Sequence, residues 1–309
     1  MLKTKKYKTK KTKKFTKSKK LNKIQSQSQS QSQSQSQSQS QSQSQLQTLK
    51  LSNKRVYDKY TKYVNEIINT DKTLWNFKSV GLYNEILEHV QPFHGQHYFR
   101  IIKKNFYNFY KKSKKFLIKL CHKNDLYGKP NKIKFQNFAR CSSTNLRYIV
   151  HSLLILTFMQ KHNLNNIDII EIGGGYGGLS FYLHNMSRLF NITIKSYTIF
   201  DLPDISKLQK VYLEALNADN DMNFYQIDNY KDLKPNSFLI ANYSYSEIAM
   251  HLQKEYTKKI LNPYVSYGFL VWNFIPIYDF IDNKIISSEL EVPDTSGNKT
   301  NYYVTFIPK

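Results

Sequence analysis

The hydrophobic rhythm of the chain changes twice. Residues 25–45 have none, because Gln and Ser alternate strictly there and offer neither a helix nor a strand an apolar face to offset the entropy of ordering. From residue 51 to 164, apolar residues recur three and four apart in VYDKYTKYVNEII, VGLYNEILEHV and YFRIIKKNFYNFYKKSKKFLIKL, the spacing of one helical face. Gly128 and Pro130 interrupt this series. LRYIVHSLLILTFMQKH, residues 146–162, predicts a further helix with Ser143 or Thr144 as its cap. Beyond residue 165 the pattern becomes short apolar runs separated by helical stretches, which predicts strands over 167–172, 194–200, 223–227, 237–243 and 268–274. Strands alternating with helices imply a parallel sheet with right-handed crossovers. The last two runs, IISSELEV and NYYVTFI, have only PDTSGNKT between them. That leaves no room for a helix and predicts an antiparallel hairpin closing the sheet. The expected organisation is a disordered tail over 1–48, a helical substrate or lid subdomain over 49–164, and an α/β ligand-binding domain over 165–309.

Charge modifies this picture. The net charge is +24, and the first 24 residues hold twelve lysines and no acid, so half of the excess belongs to the tail. The remainder is still basic, which favours an anionic partner such as a nucleotide-linked substrate, a nucleic acid or a membrane surface. The lysine run itself reads as a solvated extension, with polyanion binding or nuclear import as the alternatives. Two cysteines, Cys121 and Cys141, cannot build a secreted disulfide framework. The basic start has no apolar stretch after it, and the longest apolar run, near residues 149–159, is too short to span a bilayer. A soluble, cytoplasmic protein is expected. Lys, Asn, Ile, Tyr and Phe are all abundant, as an AT-rich genome would make them, so the 24 tyrosines carry no functional argument of their own.

The candidate chemistry begins where the first strand runs into EIGGGYGG. Gly173, Gly175 and Gly178, with Tyr176 between them, spell GxGxxG, a loop that lets a ligand lie against bare backbone at a helix N-terminus. A nicotinamide or flavin nucleotide fits that spacing too, but a dinucleotide fold usually starts at this strand, whereas here a long helical region precedes it. Glu171 stands two residues before the first glycine, where a carboxylate suits a ligand carrying ammonium or sulfonium charge better than a pyrophosphate. S-adenosylmethionine carries both. Asp201, at the end of the second strand, could accept from both ribose hydroxyls. Asp228, at the end of the third, could accept from the adenine amino group, with Leu202 and Tyr230 available to the ring.

These residues resemble a family of sugar O-methyltransferases among the class I S-adenosylmethionine-dependent enzymes. The likeness covers about residues 142–274 and rests on SSTNLRYIVHSLLIL, EIGGGYGGLS, YTIFDLPDISKLQKVYL and NYSYSEIAMHLQKEY. It implies a Rossmann-like fold with a mostly parallel seven-stranded sheet, the methyl donor over the glycine loop, and a carbohydrate or nucleotide-linked sugar hydroxyl as acceptor.

Methyl transfer to a weakly acidic hydroxyl requires alignment and a base. Glu247 and His251 are four residues apart and would share one helix face, the carboxylate orienting the imidazole. Ser244 with Glu247 also reads as a capping box. Arg147 is a candidate for the methionine carboxylate of the donor or for an acceptor phosphate, with a structural ion pair as the alternative. His94 and His97 have metal-compatible spacing but no cysteine or acid nearby in sequence, so they read as solvated histidines and no structural zinc is expected. A magnesium ion that helps deprotonate the sugar is an alternative rather than the expectation, since Asp201, Asp228 and Glu247 could all approach one cleft. The competing functions are an RNA methyltransferase using the basic tail for phosphate contacts, an NAD(P)-binding oxidoreductase, and a ligand-binding protein without turnover.

Overall fold

The computed structural model describes residues 57–86, 90–282, 284–295 and 300–309. The expected tail over 1–48 lies outside them, as do the middle of the PDTSGNKT turn and residues 87–89 of the second predicted helix.

Helical residues come first, as the three-and-four spacing requires. They are α1 (residues 57–67), α2 (Gly81–Ile86), α3 (Pro92–Asn105), α4 (Tyr107–Asn124) and α5 (Ser143–Lys161), with a two-residue ladder of β1 (Ile133–Lys134) and β2 (Arg140–Cys141) between the last two. The run from Tyr98 to Leu120 is two helices rather than the single one its periodicity suggests. Phe106 leaves helical geometry at φ −123° and ψ 34°. No residue from 103 to 116 is fully buried, and the break lets the apolar positions of both halves reach the core, with Phe99 against Tyr110 at 5.9 Å. The cap of α5 is Ser142, one residue earlier than expected. Its backbone N–H and hydroxyl both donate to the buried Asp125 carboxylate, at 2.7 and 2.8 Å, a negative charge well placed at a helix N-terminus.

The sheet then assembles from β3 (Ile167–Ile172), β4 (Ile194–Phe200), β5 (Met222–Tyr225), β6 (Ser237–Asn242), β7 (Val265–Trp272), β8 (Lys284–Leu290) and β9 (Tyr302–Pro308), in the order β5-β4-β3-β6-β7-β9-β8. The first five run parallel to their neighbours, and β9 inserts antiparallel between β7 and β8. This is the Rossmann-like arrangement expected, with its reversal of strand order beginning at β3. Between the strands lie α6 (Gly178–Ser187), α7 (Pro203–Ala215) and α8 (Met250–Tyr256).

The period of two along the strands divides the interior into two layers. Ile169, Tyr197, Ile199, Phe238 and Ile240 face a core shared with α3 to α7, whereas Ile170, Ile172, Phe200, Leu239 and Trp272 face one shared with α8 and the C-terminal segment. The helical region therefore packs into the same hydrophobic core as one face of the sheet, and residues 58–309 form one compact unit. Among the described residues no helix is long and apolar enough to cross a membrane.

Candidate functional site

The carboxyl ends of β3, β4 and β6 converge on the glycine loop. Gly173 leaves β3 with φ +73° and donates its N–H to the Phe200 carbonyl at 2.8 Å. A Cβ there would lie 2.4 Å from Cβ of Ser244, and a Cβ on Gly178 would lie 2.4 Å from the Tyr148 ring. Both positions need glycine, the first for its backbone angle and its neighbour, the second for space alone. Ser244, one residue past the left-handed Tyr243 that ends β6, donates its hydroxyl to the Ile172 carbonyl and ties the two strand ends together.

Asp201 follows β4 directly and meets the loop from the side. Its Oδ2 accepts from Gln209 Nε2 at 2.7 Å and its Oδ1 from the Leu202 N–H at 2.8 Å, while Gly174 and Gly175 supply further backbone donors. Burial pushes this carboxyl up to about 6, against the pull of those hydrogen bonds. Gln209 also donates to the Gly175 carbonyl at 2.9 Å, so a side chain on α7 fixes the loop and the acid together. Leu202 beside it is exposed.

Glu171 is buried beneath the loop. Its Oε2 accepts from the Tyr197 hydroxyl at 2.9 Å, and a Cβ on Gly174 would come within 3.3 Å of it. Burial pushes it up to about 8, with the nearby Asp201 charge adding and the Tyr197 hydrogen bond opposing.

Three of the predicted side chains are turned elsewhere. Tyr176 points away from the loop surface into an aromatic cluster, 5.1 Å from Tyr212 and 5.7 Å from Phe77, with the buried Lys78 ammonium 4.3 Å from its ring centre. The apolar body of a tyrosine gains more in that cluster than in a wet cleft, so the side chain joins the loop to the helical region. Asp228 does not end a strand, because β5 stops at Tyr225 and a Gln226–Asn229 bridge turns the chain. Its exposed carboxylate pairs with Lys259 at 3.1 Å. His251 and Glu247 do not share a helix. Tyr245–Glu247 is a separate 3-10 turn, Ile248 and Ala249 are extended at ψ 144° and 139°, and α8 begins only at Met250. The extended pair breaks the i, i+4 relationship that a dyad needs. The Ser244 hydroxyl is committed to β3, so the capping box is not formed either.

Glu247 keeps chemical interest without His251. The Asn273 amide donates to its Oε1, and desolvation among the surrounding protein atoms pushes it up to about 7, the Asn273 bond opposing.

Arg147 is buried on α5, its guanidinium 5.3 Å from the Tyr243 ring centre and 5.8 Å from that of Tyr148. Tyr243 leads to a polar cluster that the sequence pattern did not reveal. The buried Glu291, just past β8, accepts from the Tyr243 hydroxyl, from Tyr98 at 3.3 Å and from Asn301 at 2.8 Å. Its only signal was the second of two acids, Glu289 and Glu291, at the end of a strand-like run, where a solvated edge is the ordinary reading. Beside this cluster a pocket of about 410 Å³ opens between α3 and the segment after β8, lined by Phe93, His97, Arg100, Val292, Pro293 and Asp294 among others. His94 is not solvated as expected: it is buried, and its Nδ1 accepts from the Gln91 N–H at 3.2 Å to cap α3. Among the described residues no group of three or more His, Cys, Asp or Glu could hold a metal ion, and Asp201, Asp228 and Glu247 do not converge.

No family model matches the sequence, and no curated protein matches it. Among solved structures the chain is similar to the magnesium protoporphyrin IX methyltransferase of Synechocystis. The form with bound SAM has 10% identity over 54% of this chain and 82% of that one, with a TM-score of 0.39. The form with bound SAH has 8% identity over 64% and 97%, with a TM-score of 0.40. A third similar structure, a mitomycin 7-O-methyltransferase, has 9% identity over 54% of this chain and 57% of its own, with a TM-score of 0.34.

Proposed function

We propose that the chain is an S-adenosylmethionine-dependent O-methyltransferase whose acceptor is a sugar or glycan hydroxyl. One observation supports the donor half above all: a glycine loop with bare backbone between Ser244 and Tyr148, flanked by two carboxylates, Glu171 beneath and Asp201 beside it. A dinucleotide pyrophosphate would gain nothing from an acid held protonated beneath the loop, whereas a ligand with sulfonium and ammonium charges favours the ionised form of Glu171 and gains from Asp201. Gln209 Oε1 is buried and has no partner among the described residues, an acceptor left for a ligand donor.

A bound donor supplies an electrophilic methyl group on a positively charged sulfur. Around it, Asp201 would accept from ribose hydroxyls, the exposed Leu202 would lie against the adenine, and Arg147 would meet the methionine carboxylate. Glu247, whose carboxyl is pushed up to about 7 by burial, would take the proton of the acceptor hydroxyl, and Asn273 would hold the carboxylate in place. The pocket between α3 and the segment after β8, with Phe93 for ring packing and Arg100 for a phosphate, suits a sugar carrying an anionic group such as a nucleotide phosphate.

Calorimetric titration with S-adenosylmethionine, followed by assay of S-adenosylhomocysteine release across free sugars, nucleotide-linked sugars and glycans, tests the proposal. Donor binding without turnover on any acceptor points to a ligand-binding protein, and tight binding of NAD or NADP points to an oxidoreductase.

A further inference from the structure

The positive charge of the folded part is concentrated in one place. Residues 100–140 hold thirteen Lys and Arg and a single acid, Asp125, a net charge of +12. That is the whole excess left when the twelve lysines of residues 1–24 are taken from +24; everything else, residues 25–99 and 141–309, is neutral, with 21 basic and 21 acidic residues. A genome-wide bias toward lysine would not collect the imbalance in 41 consecutive residues. The one acid is buried and engaged by Ser142. Among the described residues the ion pairs fall on Lys207, Lys210 and Lys259, and none of the thirteen cations is in one.

Helix α4 organises these charges. Its exposed positions include Asn108, Lys111, Lys112, Lys115, Lys119 and His122, which fall within an arc of about 100°. Lys111, Lys115 and Lys119 succeed one another at a rise of about 6 Å, an even row of cations comparable in spacing with the phosphates of an extended strand. The opposite face, with Leu117, Leu120 and Cys121, is buried, and no exposed residue of α4 is aliphatic. A helix lying in a membrane interface needs exposed apolar residues to insert, and α4 has none beyond Tyr107. That ring, exposed at the head of the row, can stack on a base. At its other end α4 reaches the glycine loop, where Asn124 donates to the Tyr176 hydroxyl at 3.1 Å.

We propose that the Lys111–Lys115–Lys119 row of α4, headed by Tyr107, is a binding surface for single-stranded nucleic acid. The lysines neutralise successive phosphates and Tyr107 takes a base face, in the manner of sequence-tolerant strand-binding grooves. This surface lies among the described residues and shares no residue with the lysine run of residues 1–24. It requires no methyl donor, so its test stands apart from that of the methyltransferase reading.

The experiment uses the full chain, a fluorescently labelled single-stranded oligouridylate, and anisotropy titrations at a series of salt concentrations. The tail is common to every variant. K111Q/K115Q/K119Q is expected to weaken binding at least about tenfold and to reduce the slope of log affinity against log salt by about 2, since each phosphate contact on a single strand contributes about 0.7. Y107A is expected to lose at least about fivefold. A control, K231Q/K234Q/K258Q, removes the same charge from exposed sites in the neutral remainder and is expected to bind like the parent. An unchanged slope in the α4 variant, or an equal loss in the control, overturns the proposal. So does a result in which the α4 substitutions abolish binding to phosphatidylserine vesicles and leave RNA binding intact, which would assign the row to a membrane.

Discussion

Glu171→Gln separates the stability of this fold from its ligand chemistry. In the native chain the Glu171 carboxyl is 2% exposed and is pushed from its ordinary 4.5 up to about 8. An unfolded chain would release that proton near 4.5, while the native state holds it until about 8. Between those values the native state binds more protons, so stability falls as pH rises, and above about 8 the loss is complete. At about 1.4 kcal/mol per pH unit, the span from 4.5 to neutrality corresponds to about 3 kcal/mol of lost stability at pH 7. The substituted amide retains an oxygen to accept from Tyr197 and does not titrate. The variant should therefore gain on the parent by up to about 3 kcal/mol at pH 7, with the gain shrinking toward zero near pH 4.5. Packing differences of the new amide are independent of pH, and Asp201 and Glu247 titrate in both proteins, so the change of the gap with pH is the diagnostic quantity. Urea unfolding of parent and variant across this range measures it. A gap that stays constant or narrows as pH rises would falsify the assignment of a protonated Glu171 beneath the loop. The same variant should bind S-adenosylmethionine more weakly, because a cationic ligand draws on the carboxylate.

Asp201→Ala should weaken S-adenosylmethionine binding by about 1.5 to 3 kcal/mol, as expected for lost charge-assisted hydrogen bonds; an unchanged dissociation constant by calorimetry removes Asp201 from the site. Gly173→Ala combines a left-handed backbone angle with a 2.4 Å clash against Ser244 and should destabilise by about 1 to 3 kcal/mol in urea unfolding. Ser244→Gly introduced alongside it should recover part of that loss. Glu247→Gln should lower turnover about a hundredfold and remove an inflection near pH 7, where activity rises as the carboxyl ionises. His251→Asn should leave turnover near that of the parent, and an equal loss in both variants would restore the dyad.

Periodicity determined the type and order of the elements along the chain, because it is set by local geometry. The three-and-four spacing before residue 164, the short apolar runs after 165 and the helix-free gap at the end correspond to α1–α5, β3–β7 and the β8–β9 hairpin. The glycine loop and Asp201 were legible for the same reason: a strand end followed by glycines, and an acid at the end of the next strand, have their places fixed by the sheet. Side-chain direction was not legible. Whether Tyr176 faces a ligand or a core depends on Phe77 and Tyr212, which lie 99 and 36 residues away in the chain, and the outward turn of Asp228 goes with the end of β5 at Tyr225 and the Gln226–Asn229 bridge. The separation of Glu247 from His251 lies in the extended Ile248 and Ala249, and the Ser244 hydroxyl that a helix cap would have used is bonded to β3. Glu291 became a buried acceptor because Tyr98 and Tyr243 arrive from distant elements and Asn301 faces it across the hairpin. Local pattern decides which backbone forms, since its energetics act over a few residues. Which polar atoms meet is decided by packing, where the partner of each group is chosen by the whole fold.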